Sequence, residues 1–133
     1  MGALDQPARS VKRSLISVVV VIASIGLCIL AVSAGLDVAC RADIDNWVPI
    51  YPGAEIVEME YQGPFRPRAM GATAVMLYSE DPPNVVRSWY YQHIVDLARR
   101  RVSRGFATTS REIEAAPDGE GTHIYLFSTC AWY

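Results

Sequence analysis

Leu15–Leu36, LISVVVVIASIGLCILAVSAGL, runs for twenty-two residues without a charge, and Arg9, Lys12 and Arg13 stand directly before it. At about 1.5 Å of rise per residue, a helix of this length covers the roughly 30 Å hydrocarbon core of a bilayer and satisfies its own backbone groups there. The β-branched VVVVI is no obstacle, because the absence of water outweighs a few tenths of a kcal/mol of helix propensity. A secretory signal shares the basic start, but its apolar part is usually about 7–15 residues long. Val32-Ser33-Ala34 also makes a weak cleavage site, and Cys40 follows Asp37-Val38-Ala39 rather than the Leu-led phrase of a lipoprotein. The run therefore reads as a retained transmembrane helix, 15–36, after a cytoplasmic tail, 1–14.

The flanks set the expected orientation. Three basic residues precede the span, whereas only Arg41 stands between it and Arg66, so the positive-inside rule puts the N-terminus in the cytoplasm. A connector, 37–47, and a domain, 48–133, then fall on the periplasmic or extracellular side of a cell inner membrane. From Asp37 onward there are nine arginines, no lysine and thirteen acidic residues. An acidic domain of this kind excludes nucleic acid as an expected partner, leaving the bilayer and other membrane subunits.

About 90 residues suffice for one small core and leave no room for separate cofactor and substrate domains. Of the three cysteines, Cys28 lies inside the span, where an apolar thiol is at home. Cys40 and Cys130 both lie on the oxidising side and are candidates for a disulfide, the alternative being two free thiols.

Within the domain, Val48-Pro49-Ile50-Tyr51-Pro52-Gly53-Ala54 forces an extended entry and a turn. EIVEMEY, Glu55 to Tyr61, reads as a first strand and ATAVMLYS, Ala72 to Ser79, as a second, with the loop GPFRPRAMG between them. Glu80-Asp81-Pro82-Pro83 supplies a capping carboxylate and first-turn prolines, and Val86, Trp89, Tyr90, Ile94, Leu97 and Ala98 form the apolar face of a helix from Val85 to Arg101. Arg99, Arg100, Arg101 and Arg104 cluster at its end, and Gly105 is the expected stop. A third strand, about Phe106 to Glu114, and a fourth, Thr122 to Cys130, flank the turn PDGEG. The expected fold is one N-terminal transmembrane helix plus an α+β domain of ββαββ order, a mainly antiparallel four-stranded sheet with one helix on one face. In the last strand Ile124, Leu126, Ser128 and Cys130 share one face, and His123, Tyr125, Phe127 and Thr129 the other. The second face is too apolar to be simply solvated. It is either a docking surface or covered by the loops or the connector.

Pro49, Tyr51, Pro52, Gly53 and Ala54, with Val86, Trp89 and Tyr90 on the helix and Gly105-Phe106 after it, form a phrase. The chain from about Trp47 to Phe127 thereby resembles a group of small, mostly uncharacterised bacterial membrane-anchored envelope domains in which Pro-x-Tyr-Pro-Gly-Ala precedes the first strand. The resemblance implies turn and packing residues and no catalytic residue. The arginine run is a departure from that pattern.

Chemistry-bearing residues are sparse. His93 and His123 have no Cys or carboxylate at metal-ligand spacing, and no Cys-x-x-Cys or Cys-x-x-Cys-His occurs. Asp43-Ile44-Asp45-Asn46 lacks the Gly and Glu of a calcium loop, so it reads as solvated connector. Ser103, Thr108, Thr109 and Ser110 have no recognisable base and orienting acid. No catalytic, cofactor or metal residue is assigned. The expected function is a non-catalytic accessory subunit of a larger membrane complex, in the narrowest form a respiratory or photosynthetic electron-transfer complex. The alternative is a free-standing envelope module binding a small ligand or peptide on its aromatic face or GPFRPRAMG loop. Candidate docking residues are Ala23, Gly26 and Ser33 on the span, Tyr125 and Phe127 on the sheet, and Arg99, Arg100 and Arg101 on the helix end, all for integral membrane partners. Trp47, Trp132 and Tyr133 are candidates for the membrane interface.

Overall fold

In a computed structural model, which describes residues 6–64 and 66–130 with side chains from residue 13 on, the order is α1 (Gln6–Trp47), β1 (Glu55–Gln62), β2 (Gly71–Ser79), α2 (Pro83–Arg99), β3 (Thr108–Ala115) and β4 (Thr122–Cys130). The chain divides into two compact units, Met1–Gly35 and Leu36–Tyr133.

In the first unit, α1 is long and apolar enough to cross a membrane. Its large side chains from Leu15 to Val32 are all more than half exposed, so no described residue covers this surface. Ser17 and Ser24 turn their hydroxyls back to the carbonyls of Arg13 and Val20, at 3.0 and 2.8 Å, which leaves no free hydroxyl donor on this part of the shaft.

The second unit begins with the last turns of α1. The segment 37–47, expected as a polar connector, is helical throughout, and Asp37, Cys40, Asp43 and Ile44 are buried. The reason is a second apolar stripe, Leu36, Cys40, Ile44 and Trp47, at spacings of three and four that continue the helical period past the uncharged run.

The sheet has the order β1-β2-β4-β3, antiparallel throughout. Val75 and Leu77 of β2 and Ile124 and Leu126 of β4 meet Val86 and Tyr90 of α2, Ile44 of α1, and Val48 and Tyr51 of the entry loop in one core. Each such aliphatic side chain contributes on the order of 1.5–3 kcal/mol through removal from water.

Both ends of α2 differ from expectation. Its N-cap is Pro82 with no side-chain hydrogen bond, because the Asp81 carboxylate accepts the Tyr51 hydroxyl at 2.7 Å instead. The helix ends at Arg99, before Gly105. Arg101 itself adopts φ 54°, with Arg101 N–H bonded to Ala98 O at 3.1 Å and Val102 N–H to Leu97 O at 3.1 Å. That is the Schellman closure with arginine where glycine is usual. Gly105 is needed for another reason: a Cβ there would lie 2.9 Å from the Asp43 carboxyl carbon.

Candidate functional site

The core-side face of the sheet is closed by an aromatic cluster. Tyr51 meets Trp89 edge-on at 5.2 Å between centroids and Tyr90 at 6.3 Å, and Trp89 stacks on His93 at 5.6 Å. His93 Nε2 donates to the Asn46 carbonyl at 2.7 Å. Tyr90, fully buried, donates to the Pro49 carbonyl at 2.8 Å, and the Arg111 guanidinium lies over its ring at 5.3 Å. Burial pushes the Tyr90 hydroxyl well above its ordinary range. The bond donated to Asp81 raises that of Tyr51. Tyr51 of the entry phrase and Trp89-Tyr90 of α2 thus touch each other as packing residues.

The end of α1 organises the loops. The Asp37 carboxylate pairs with Arg66 at 2.9 Å and accepts Met70 N–H at 3.2 Å. Arg68, buried, reaches Asp45 at 3.0 Å and caps the helix by donating to Val48 O at 2.8 Å. Asp43 accepts the backbone N–H groups of Gly105 and Ala107. Cys40 and Cys130 are joined in a disulfide with Cα atoms 6.1 Å apart. Asp43-Ile44-Asp45-Asn46 is therefore a folded helix end, and both arginines of GPFRPRAMG are already paired.

The opposite sheet face carries none of these layers. Register places it in four ranks across β1-β2-β4-β3: Glu55, Tyr78, His123, Glu114; then Glu58, Met76, Tyr125, Glu112; then Glu60, Ala74, Phe127, Ser110; then Gln62, Ala72, Thr129, Thr108. The end of α1 and α2 pack in the core on the other face, the β3–β4 turn reaches the first rank, where the Glu120 carbonyl accepts the Tyr78 hydroxyl at 3.2 Å, and Phe127 is 44% exposed. Glu58, Glu60, Ala74, Met76, Tyr125 and Phe127 line a shallow trough of about 190 Å³. The Tyr78 hydroxyl is raised by partial burial and then by the carboxylates of Asp118, Glu80, Glu120 and Glu55, the sign of a negative local field.

Sequence reasoning placed Tyr125 and Phe127 on this face but did not place the glutamates around them. Strict alternation in EIVEMEY puts Glu55 on the opposite face from Glu58 and Glu60. A β-bulge between Ile56 and Glu58 gathers all three on one side. Val57, exposed and β-branched on an edge strand, was the available signal.

Among the other expected residues, Ala23, Gly26 and Ser33 share one face of α1 at about 100° per residue. Arg99, Arg100 and Arg101 are exposed at the end of α2, with Arg99 3.8 Å from Asp96, and Arg104 lies over the Trp47 ring at 5.1 Å. They do not converge with Tyr125 and Phe127, which lie on the other side of the sheet. Trp132 and Tyr133 lie outside the described residues. Cys28 is a free, exposed thiol on the shaft. Among the described residues no group of three or more His, Cys, Asp or Glu is placed to hold a metal ion.

No protein-family model, curated protein or solved structure matches the chain.

Proposed function

We propose that the chain is a non-catalytic, single-pass accessory subunit of a larger membrane complex, with an N-terminus in the cytoplasm and its C-terminal unit on the exoplasmic side. The observation that carries this reading is the uncovered apolar shaft from Leu15 to Val32, attached to a unit in which the buried Asp37, Asp43 and Arg68 are spent on internal bonds. Lipid or a partner helix is the environment in which such a shaft is stable. The face shared by Ala23, Gly26 and Ser33 suits close approach of another helix. The electron-transfer assignment is the narrowest form of the proposal and rests only on the plan of the chain, one span plus one small domain.

Extraction in mild detergent, followed by mass spectrometry of co-purifying chains, tests the reading. A stable set of integral membrane partners is expected. A monomer without partners at every detergent concentration would sink it.

A second reading, a membrane-anchored envelope module that receives a ligand or peptide, is favoured by the open trough on the sheet. The two readings differ in whether the partner also contacts the span, so replacing Leu15–Leu36 with an unrelated apolar helix separates them. Loss of assembly supports the subunit, and retained assembly moves recognition to the sheet.

A further inference from the structure

We propose that the open sheet face is a docking site for an extended, Lys- or Arg-bearing segment of a partner protein, laid along β2 and β4 between two rims of glutamates. The inference rests on the reading of the chain as a partner-binding module and adds the chemistry of what it binds.

Charge selects a cationic occupant. Glu55, Glu58 and Glu60 edge the face on β1, and Glu112 and Glu114 edge it on β3. Among the described residues none of the five takes part in a salt bridge, whereas Asp37, Asp45 and Asp96 do. No Arg or Lys stands anywhere in the four ranks. Five carboxylates around an uncovered apolar strip repel nucleic acid and anionic lipid headgroups alike and attract cations.

The floor between the rims agrees with this occupant. Met76, Tyr125 and Phe127 offer ring faces and a thioether, and Ala74 opens a dip between Glu60 and Phe127 that deepens the trough. An alkyl stem with a cationic head suits this combination, the stem lying on the rings and the head reaching a carboxylate.

The spacing of the rims matches an extended chain. The rims are three strand spacings apart, about 14 Å, and alternate residues along either edge recur at about 6.8 Å. An extended peptide has the same period of two and throws successive side chains to opposite sides. Laid between the rims, it presents alternate basic residues to Glu58 and Glu60 on one side and to Glu112 and Glu114 on the other. The β-bulge that brings Glu58 and Glu60 to this face supplies the second of these edges.

The test uses the full-length chain in detergent micelles and a fluorescent peptide of consecutive lysines, whose successive side chains reach both rims, with a Glu-for-Lys peptide and spermine as comparisons. The Lys peptide is expected to bind, to weaken steeply with salt, and to lose about tenfold in affinity in E58Q/E60Q and again in E112Q/E114Q, since each rim supplies two charge contacts. F127A is expected to weaken binding in high salt as well as low. All these positions are exposed at the surface or its rim, and an unchanged thermal midpoint verifies that each variant is folded. Equal binding of the Glu peptide, no Lys-peptide binding, or affinity unaffected by both glutamate pairs overturns the proposal. So does spermine outcompeting the peptide mole for mole, which would make the site one for small polyamines. Concentration-dependent self-association abolished by E58Q/E60Q would make the occupant the arginine end of α2 in a second copy, and also overturns it. Partners that co-purify equally with wild type and the four-glutamate variant leave the subunit reading standing while removing this face from it.

Discussion

The carboxylate of Asp43, four residues before the end of α1, accepts the backbone N–H of Ala107, sixty-four residues later, at 2.8 Å, and that of Gly105 at 3.2 Å. One side chain thus ties the helix end to the segment that leads into β3. Asp43→Ala removes a charge-assisted pair of bonds and is expected to cost about 2 kcal/mol. Asp43→Asn keeps an acceptor and should cost about half as much. Thermal unfolding of the full chain in micelles orders them, and midpoints of both variants equal to that of wild type would show that the carboxylate holds nothing. Gly105→Ala, which places a Cβ against the same carboxylate, is expected to match Asp43→Ala and to add little to it in the double variant, because both break one contact.

The Cys40–Cys130 bond closes a loop of ninety residues, joining α1 to the last residue of β4. In the chain-entropy description such a closure stabilises by about 4 kcal/mol. Cys40→Ser, Cys130→Ser and the double variant are each expected to lower the unfolding midpoint by a similar amount, and reductant should do the same to wild type alone. On non-reducing gels the wild type should migrate faster than all three variants. Identical mobility would mean that the two thiols are not joined.

Elements governed by local periodicity were legible in the sequence: four strands within two residues of their ends, and the α2 face with Val86, Tyr90 and Leu97 buried. Features that depend on distant partners were not. Asp43 read as solvated connector because its partners, Gly105 and Ala107, come from the segment after α2, and Asp37 carried no local sign of its partner Arg66, which comes from the loop after β1. The stripe of Leu36, Cys40, Ile44 and Trp47 was the local sign that the helix continues. Asp81 looked like a cap until Tyr51 claimed its carboxylate. The trough was half legible for a similar reason: Tyr125 and Phe127 follow from the alternation of β4, while the glutamate rim on β1 depends on a one-residue bulge that breaks the alternation of its strand.

Arg101 occupies a left-handed conformation, φ 54°, at the position after the α2 cap where glycine is the usual residue. An L side chain there carries a penalty of about 1 kcal/mol that Arg101→Gly relieves, partly offset by the looser unfolded chain. A net gain of about 0.5 kcal/mol is expected. Arg100, with φ −76° and ψ 0°, has ordinary helical geometry, so Arg100→Gly should destabilise by a comparable amount. Unfolding midpoints that move in the same direction for the two glycine variants would contradict this assignment.

Alkaline pH attacks the core through Tyr90. Its hydroxyl is buried against Pro49 O and held protonated above its ordinary value of 10.0, chiefly by burial, and Tyr51 is shifted the same way by its bond to Asp81. Below pH 10 both tyrosines are protonated in the folded and the unfolded chain, so their contribution is fully present and independent of pH. Above it the unfolded chain releases protons that the folded chain retains, and stability falls by up to about 1.4 kcal/mol per pH unit for each such tyrosine. Tyr90→Phe gives up the hydroxyl's hydrogen bond and should cost about 1 kcal/mol at neutral pH. It also removes one titrating group, so its midpoint should fall less steeply than that of wild type between about pH 10 and 12 and the two curves should converge. Unfolding scans from pH 8 to 12 measure this directly, and curves that stay parallel across the alkaline range would show that Tyr90 ionises as freely in the folded chain as in the unfolded one.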